Sequence, residues 1–183
     1  MIVAAENPTP QAVPPAQLAT AGAPAQTQRV PPAILAFDFG EKYIGVAVGD
    51  RETGLAHPLV LIEGEANALR FGAIEALIAE WRPGILAVGL PLSMDGSEHE
   101  QTRRARRFAR QLEGRFAMAV VLVDERLSSA AAEESLRNMG RGGRANKHAS
   151  HALAAQIILQ GYLDEQARDS RRVGGNGDAN AIA

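Results

Sequence analysis

The chain of 183 residues contains no cysteine, which excludes disulfides, thiolate metal sites and cysteine nucleophiles and suits a reducing compartment. Aromatic residues make up only 4%, so base stacking is not expected as the main mode of ligand binding. Neither sign of charge dominates: 19 Lys and Arg stand against 21 Asp and Glu, a formal net charge of −2, so any basic surface must be local. No apolar run approaches the roughly 20 residues of a membrane span, and residues 1–6 have neither the basic start nor the apolar core of a signal peptide. These absences lead to the expectation of a cytoplasmic protein with no membrane partner.

Hydrophobic content of 46% is enough for one domain with a core. Residues 1–32, with Pro8, Pro10, Pro14, Pro15, Pro24, Pro31 and Pro32, bury too little apolar surface to offset ordering and read as a disordered Pro/Ala-rich extension. Residues 166–183 read as a matching disordered tail, which leaves 33–165 as the folded unit.

Two apolar runs, 34–37 and 44–48, flank a short polar turn and read as a hairpin. Asp38 interrupts the first run, where a carboxylate costs several kcal/mol unless something positive meets it. Gly40 and Gly45 allow tight bending or the close approach of a partner. Residues 59–62 form a third short strand. Leu69, Ala73, Leu77 and Trp81 then fall on one face of a surface helix over 65–81, closed by Pro83 and Gly84. The continuous apolar run 85–89 is a strand covered on both sides, and it leads into a loop over 90–96. A second helix turns Ala105, Phe108, Ala109 and Leu112 inward and carries Arg103, Arg104, Arg106, Arg107 and Arg110 around its other faces. Strand 119–123 runs into Asp124-Glu125-Arg126. Ser128 or Ser129 caps a third helix with Ala132, Leu136 and Met139 inward. A basic loop over 140–144 precedes a last helix, about 147–163, packed through Leu153, Ala154, Ile157, Ile158 and Tyr162.

The order β-β-β-α-β-α-β-α-α predicts a mixed α/β sheet with helices on both faces. Such a sheet binds its ligand beyond the carboxyl ends of its parallel strands, where Asp38, the 90–96 loop and Asp124-Glu125 all lie. Carboxylates gathered there repel one another and need cations. Hard oxygen ligands without cysteine point to Mg²⁺ or Mn²⁺, and ions so held can activate water for phosphodiester cleavage. Strand alternation sends Asp124 and Glu125 to opposite faces, so only one is expected as a ligand. The same triplet also reads as a strand end with a surface salt bridge, and Asp95 as a plain Asp-Gly turn. The helix arginines, with Arg141, Arg144 and Lys147, form either a phosphate-binding surface or a solvated helix face.

Taken together, Asp38-Phe-Gly40 with Ile44-Gly45-Val-Ala47, Val88-Gly-Leu-Pro91 with Met94-Asp-Gly96, Asp124-Glu-Arg-Leu127, and Ala154-Ala-Gln-Ile-Ile-Leu-Gln160 resemble the YqgF family. The likeness spans about 33–163, with four motifs in the right order. These are RuvC-like proteins of RNase H-like fold, described as pre-16S rRNA nucleases and earlier as Holliday-junction resolvases. The resemblance implies a five-stranded sheet of order 3-2-1-4-5 and metal-dependent hydrolysis of ribosomal RNA precursor at the 16S 5′ end. Its catalytic site maps onto Asp38 and Glu125, with Asp95 available as a further metal ligand from its loop. In the family's usual pattern a third acid opens the last helix; here His151 stands there, a poor ligand for Mg²⁺ that suits Mn²⁺, proton transfer or phosphate contact instead. RuvC resolvases proper differ too, carrying a glutamate on the strand that here ends in Gly89-Leu-Pro91. Nucleic-acid contacts are expected from Arg103, Arg104, Arg107, Arg126, Arg141, Arg144 and Lys147. RNA is the expected partner, with structured DNA as an alternative, and the protein is a monomer or homodimer. A non-cleaving ribosome-assembly module and a junction resolvase remain the competing functions, the latter requiring a symmetric dimer.

Overall fold

Alternation along the first strand divides the molecule into two layers. β1 (Ala33–Phe39) sends Leu35 and Phe37 into one core and Ile34 and Ala36 into another, all fully buried. This is a computed structural model; it describes residues 30–127 and 144–174, with side chains up to Arg126 and from Ser150 to Arg172. The expected third helix over 128–139, the expected loop over 140–144 as far as 143, with Arg141, and residues 1–29 and 175–183 lie outside the described residues. Arg144 and Lys147 stand on a helix whose side chains there are likewise outside them.

β2 (Tyr43–Asp50) pairs antiparallel with β1, and β3 (Leu55–Glu63) antiparallel with β2, while β4 (Ile85–Leu90) adds in parallel to β1 and β5 (Val120–Asp124) in parallel to β4. The sheet order is β3-β2-β1-β4-β5, the expected 3-2-1-4-5. α1 (Asn67–Trp81) and α2 (Glu100–Phe116) cover one face, and α3 (Arg144–Gly174) covers the other. Among the described residues no helix is long and apolar enough to cross a membrane.

The sheet seats α3 on glycines. A Cβ on Gly45 would stand 1.9 Å from the backbone oxygen of His151, and one on Gly49 would stand 2.8 Å from Leu159 Cδ2. Two bare positions on one face of β2 therefore let the helix backbone lie directly on the strand, which fixes His151 above the end of β1.

Three expectations are corrected. β3 begins at Leu55 rather than 59, because an edge strand pairs through its backbone whatever its side chains do, and much of this one is exposed. α1 turns Arg70, Phe71 and Ile74 inward, while Leu69 is 67% and Trp81 37% exposed. Steps of four drift off the 3.6-residue face, and Phe71, stacked 6.1 Å from Phe108, anchors the true one. α3 buries Ala152, Ala155, Ile158, Leu159 and Leu163, with Leu153, Ala154 and Ile157 half-buried, and it continues past 163 to Gly174, exposed over 164–172. The α2 face agrees with the sequence: Ala105, Phe108, Ala109 and Leu112 are buried.

Candidate active site

β1, β4 and β5 run parallel, so their carboxyl ends share one rim. Phe37 pairs with Val88, and Gly89 with Val123, which sets Asp38 level with Gly89 on the middle strand. Alternation turns Asp38, Gly89 and, just past β5, Glu125 toward α3. Asp124 turns the other way, as expected. Its carboxylate accepts hydrogen bonds from the Arg126 backbone N–H at 3.0 Å and from the guanidinium at 2.6–3.1 Å, and this pairing holds it below the usual carboxylate range. The surface salt bridge anticipated for the triplet is thus made by Asp124 and Arg126, and Glu125 takes no part in it.

Glu125 begins a short 3₁₀ turn (Glu125–Leu127), and its carboxylate leans back over β4. Its Oε1 lies 2.5 Å from the place of a Cβ on Gly89, and Ile158 Cδ1 from α3 lies 2.6 Å from the same point. Gly89 is the gap through which a β5 carboxylate reaches toward β1, across two strand spacings of about 4.8 Å each. Burial, then the charge of Asp38, then that of Asp124 push the Glu125 carboxyl up to about 7. Desolvation disfavours the charged form, and like charges add to it.

His151 completes the group from above. Its Nδ1 is 3.4 Å from Asp38 Oδ2, and its ring lies nearly parallel to Tyr43, 25° apart with centroids 5.5 Å apart. An N–H at Nδ1 donates to Asp38, so this side chain is tied to the carboxylate from α3.

Asp95 is not brought to this group. It is fully exposed, and its Oδ1 accepts from the backbone N–H and hydroxyl of Ser97 at 2.9 and 2.7 Å, which lowers its pKa. That is the local Asp-Gly turn anticipated as its alternative. Among the described residues no three His, Asp or Glu side chains cluster closely enough to hold one metal ion. Glu125 over Gly89 nonetheless feels the charge of Asp38, and two hard-oxygen carboxylates that repel are a pair whose repulsion a divalent cation would relieve. Mg²⁺ is commonly held by one or two carboxylates, with water and substrate phosphate filling its other positions, so Asp38 and Glu125 fit such an ion.

The arginines of α2 are largely exposed, and three of them are engaged with acids. Arg103 pairs with Glu100 at 2.8 Å, and Arg106 with Glu98 at 2.8 Å. Arg104 pairs with Glu100 at 2.9 Å and with Glu41 of the β1–β2 turn. Arg107 lines a cleft between α1 and α2. Three features were not anticipated: the space at Gly89, the ring of Tyr43 on His151, and Arg70. Arg70 is 7% exposed and donates to the carbonyls of Gly64 at 2.5 Å and Gly40 at 3.4 Å, fastening the turn beside Asp38. A glycine closing an otherwise unbroken apolar strand was the one sequence signal for the first.

A family model described as "RuvX: Holliday junction resolvase" matches residues 32–165. A protein of Methylobacillus flagellatus named "Putative pre-16S rRNA nuclease" is 56% identical over 131 residues, spanning 72% of this chain and 90% of the relative. A protein of Thiobacillus denitrificans with the same name is 53% identical with the same coverage. Among solved structures, T. thermophilus RuvC in complex with a Holliday junction substrate matches at TM-score 0.47 and 18% identity, over 73% of this chain and 96% of that one.

Proposed function

We propose, on the premise that this chain belongs to the RuvX family, that it is a nuclease hydrolysing phosphodiester bonds of ribosomal RNA precursor. Its expected task is maturation of the 16S 5′ end in the cytoplasm, as part of ribosome biogenesis. The observation that carries the reading is the placement of Glu125 across Gly89 toward Asp38, with His151 on Asp38. The names of the relatives at 56% and 53% identity support the substrate.

Asp38 and Glu125 are the residues that hold a divalent ion, Mg²⁺ or Mn²⁺. Bound there, the ion supplies Lewis acidity and a lowered pKa for water. The chain's own side chains do the rest. His151 steadies Asp38 by donating from Nδ1 to its carboxylate. Glu125 lies half-buried beside Ile158, where the poor solvation of its charge favours a bound cation. Arg103, Arg104 and Arg107 neutralise backbone phosphates, with Arg141, Arg144 and Lys147 assigned the same role from the sequence. Arg126 braces Asp124 and reaches the Met94 carbonyl at 3.5 Å, leaving its outer edge for a phosphate. Asp95, closed into its own turn by Ser97, takes no part in holding the ion. The nuclease domain is 33–165, with 1–32 and 166–183 as extensions.

A second reading, cleavage of DNA junctions, is favoured by the description of the family model. Incubating the purified protein in parallel with a precursor transcript and a four-way DNA junction separates the two. Cleavage of the transcript alone is expected; cleavage of the junction alone overturns the assignment.

A further inference from the structure

We propose that the groove between the β1–β2 turn and α2 is the track for a single strand of RNA at the active site, and that Glu41 closes it by occupying Arg104 until a phosphate takes its place. This rests on the nuclease reading and names how that site receives its substrate.

Two cavities make the groove. The nearer, about 390 Å³, is walled by the turn from Phe39 to Tyr43, by Gln101 and Arg104 of α2, and at its inner end by His151. The farther, about 580 Å³, lies between α1 and α2 and includes Asn67, Arg107 and Gln111. They share Phe39, Glu41 and Arg104 as walls, so the two cavities adjoin at the Glu41–Arg104 pair, and parting that pair joins them into one groove from His151 to the helix cleft. Cavities of this size suit nucleotide-scale ligands and admit one strand rather than a double helix. The Tyr43–His151 rings offer a flat face for a base, and the amides of Gln101, Asn67 and Gln111 offer donors and acceptors to base edges.

Charge identifies the closing element. In the nearer cavity Glu41 is the single acid against Lys42 and Arg104. In the farther one Glu41, Glu65 and Glu100 balance Arg70, Arg104 and Arg107. Arg104 thus carries two carboxylates, one from its own helix and one reaching over from the turn. The nearer cavity is net positive even with Glu41, and without Glu41 the farther one becomes so too. The Glu41–Arg104 pair is exposed, at 65% and 43%, and exposed pairs hold weakly. A phosphate offers the guanidinium a bidentate, charge-assisted contact in exchange. The carboxylate of Glu41 then swings to solvent and the strand lies against α2.

The test is fluorescence anisotropy of a short single-stranded RNA oligonucleotide, and of its duplex, with the full chain and no divalent ion. Both side chains are exposed, so Glu41→Gln and Arg104→Gln leave the core intact. Glu41→Gln is expected to tighten single-strand binding about threefold to tenfold, and Arg104→Gln to weaken it at least about tenfold. Arg104→Gln also lowers the slope of log K against log salt by about 0.7. Glu41→Gln gives no gain in the Arg104→Gln background, and duplex binding changes little. Unchanged single-strand affinity in both variants, or an equal gain from Glu41→Gln with and without Arg104, overturns the proposal. If binding follows the groove while the protein cleaves no RNA, the nuclease reading fails and the track stands; if cleavage depends on Asp38 while both variants bind as wild type, the reverse holds.

Discussion

The Glu125 carboxylate fills the space that any side chain on Gly89 would occupy, with Oε1 2.5 Å from the missing Cβ. After burial, the charge of Asp38 on the neighbouring strand is the next cause of the raised pKa of Glu125. The acid pair is therefore built by one residue having nothing on its α-carbon.

Gly89→Ala tests this. The added methyl must displace Glu125 or Ile158, and overpacking of this kind costs about 1–3 kcal/mol. The expected outcome is a chain that folds with a lower denaturation midpoint and cleaves at least about tenfold more slowly, since each 1.4 kcal/mol of lost transition-state stabilisation is about tenfold. Initial rates and urea titration of the same preparation check it.

The carboxyl of Glu125 gives a signed pH dependence. Its folded-state value of about 7 lies above the ordinary 4.5, so the native state keeps a proton that the unfolded chain releases. Without divalent ion, stability falls as pH rises from about 4.5 to about 7 and then levels with respect to this group. Glu125→Gln removes that decline. Added Mg²⁺, which favours the charged carboxylate, raises the midpoint more at pH 8 than at pH 5. Urea midpoints against pH, with and without Mg²⁺, check both statements.

Glycines on β2 and within α2 should respond with opposite signs. Gly45→Ala drives a methyl into the carbonyl of His151, 1.9 Å from the Cβ position, and should cost about 3 kcal/mol or more. Gly114, inside α2, has nothing within 4 Å of that position, so Gly114→Ala should stabilise by about 0.5–1 kcal/mol. Thermal melting distinguishes them, and only Gly45→Ala should also lower activity, because it displaces His151.

His151 stands where the family resemblance places an acid. His151→Asp should reduce the Mg²⁺ concentration giving half-maximal cleavage, since a third hard oxygen joins Asp38 and Glu125. His151→Ala should slow cleavage without that gain, because Asp38 loses its partner at 3.4 Å. A Mg²⁺ titration of initial rates reads both.

The strands and the acidic rim were legible because apolar runs mark buried strands and alternation alone sends Asp124 and Glu125 apart, whereas the strand order 3-2-1-4-5 was implied by the family resemblance. Helix faces were less so. Leu69 and Trp81 matched a pattern of fours, yet Phe71 and Ile74 had the ring contacts and buried area that orient α1. On α3 the small residues Ala152 and Ala155 face the sheet because β2 supplies glycines beneath the helix, a match visible only once the two elements are apposed. The same holds for Glu125 over Gly89 and Glu41 on Arg104. Each joins residues far apart in the chain, and neither residue type nor local period announces the pairing.

The most direct measurement is cleavage of a 16S precursor transcript by wild type and Asp38→Asn, purified in parallel, with Mg²⁺ and with chelator. The account predicts 5′-end cleavage by wild type in Mg²⁺, its loss with chelator, and a rate at least about a hundredfold lower in the variant, since electrostatic groups at a reacting centre are commonly worth that much. Equal cleavage by Asp38→Asn, or undiminished cleavage with chelator, contradicts it.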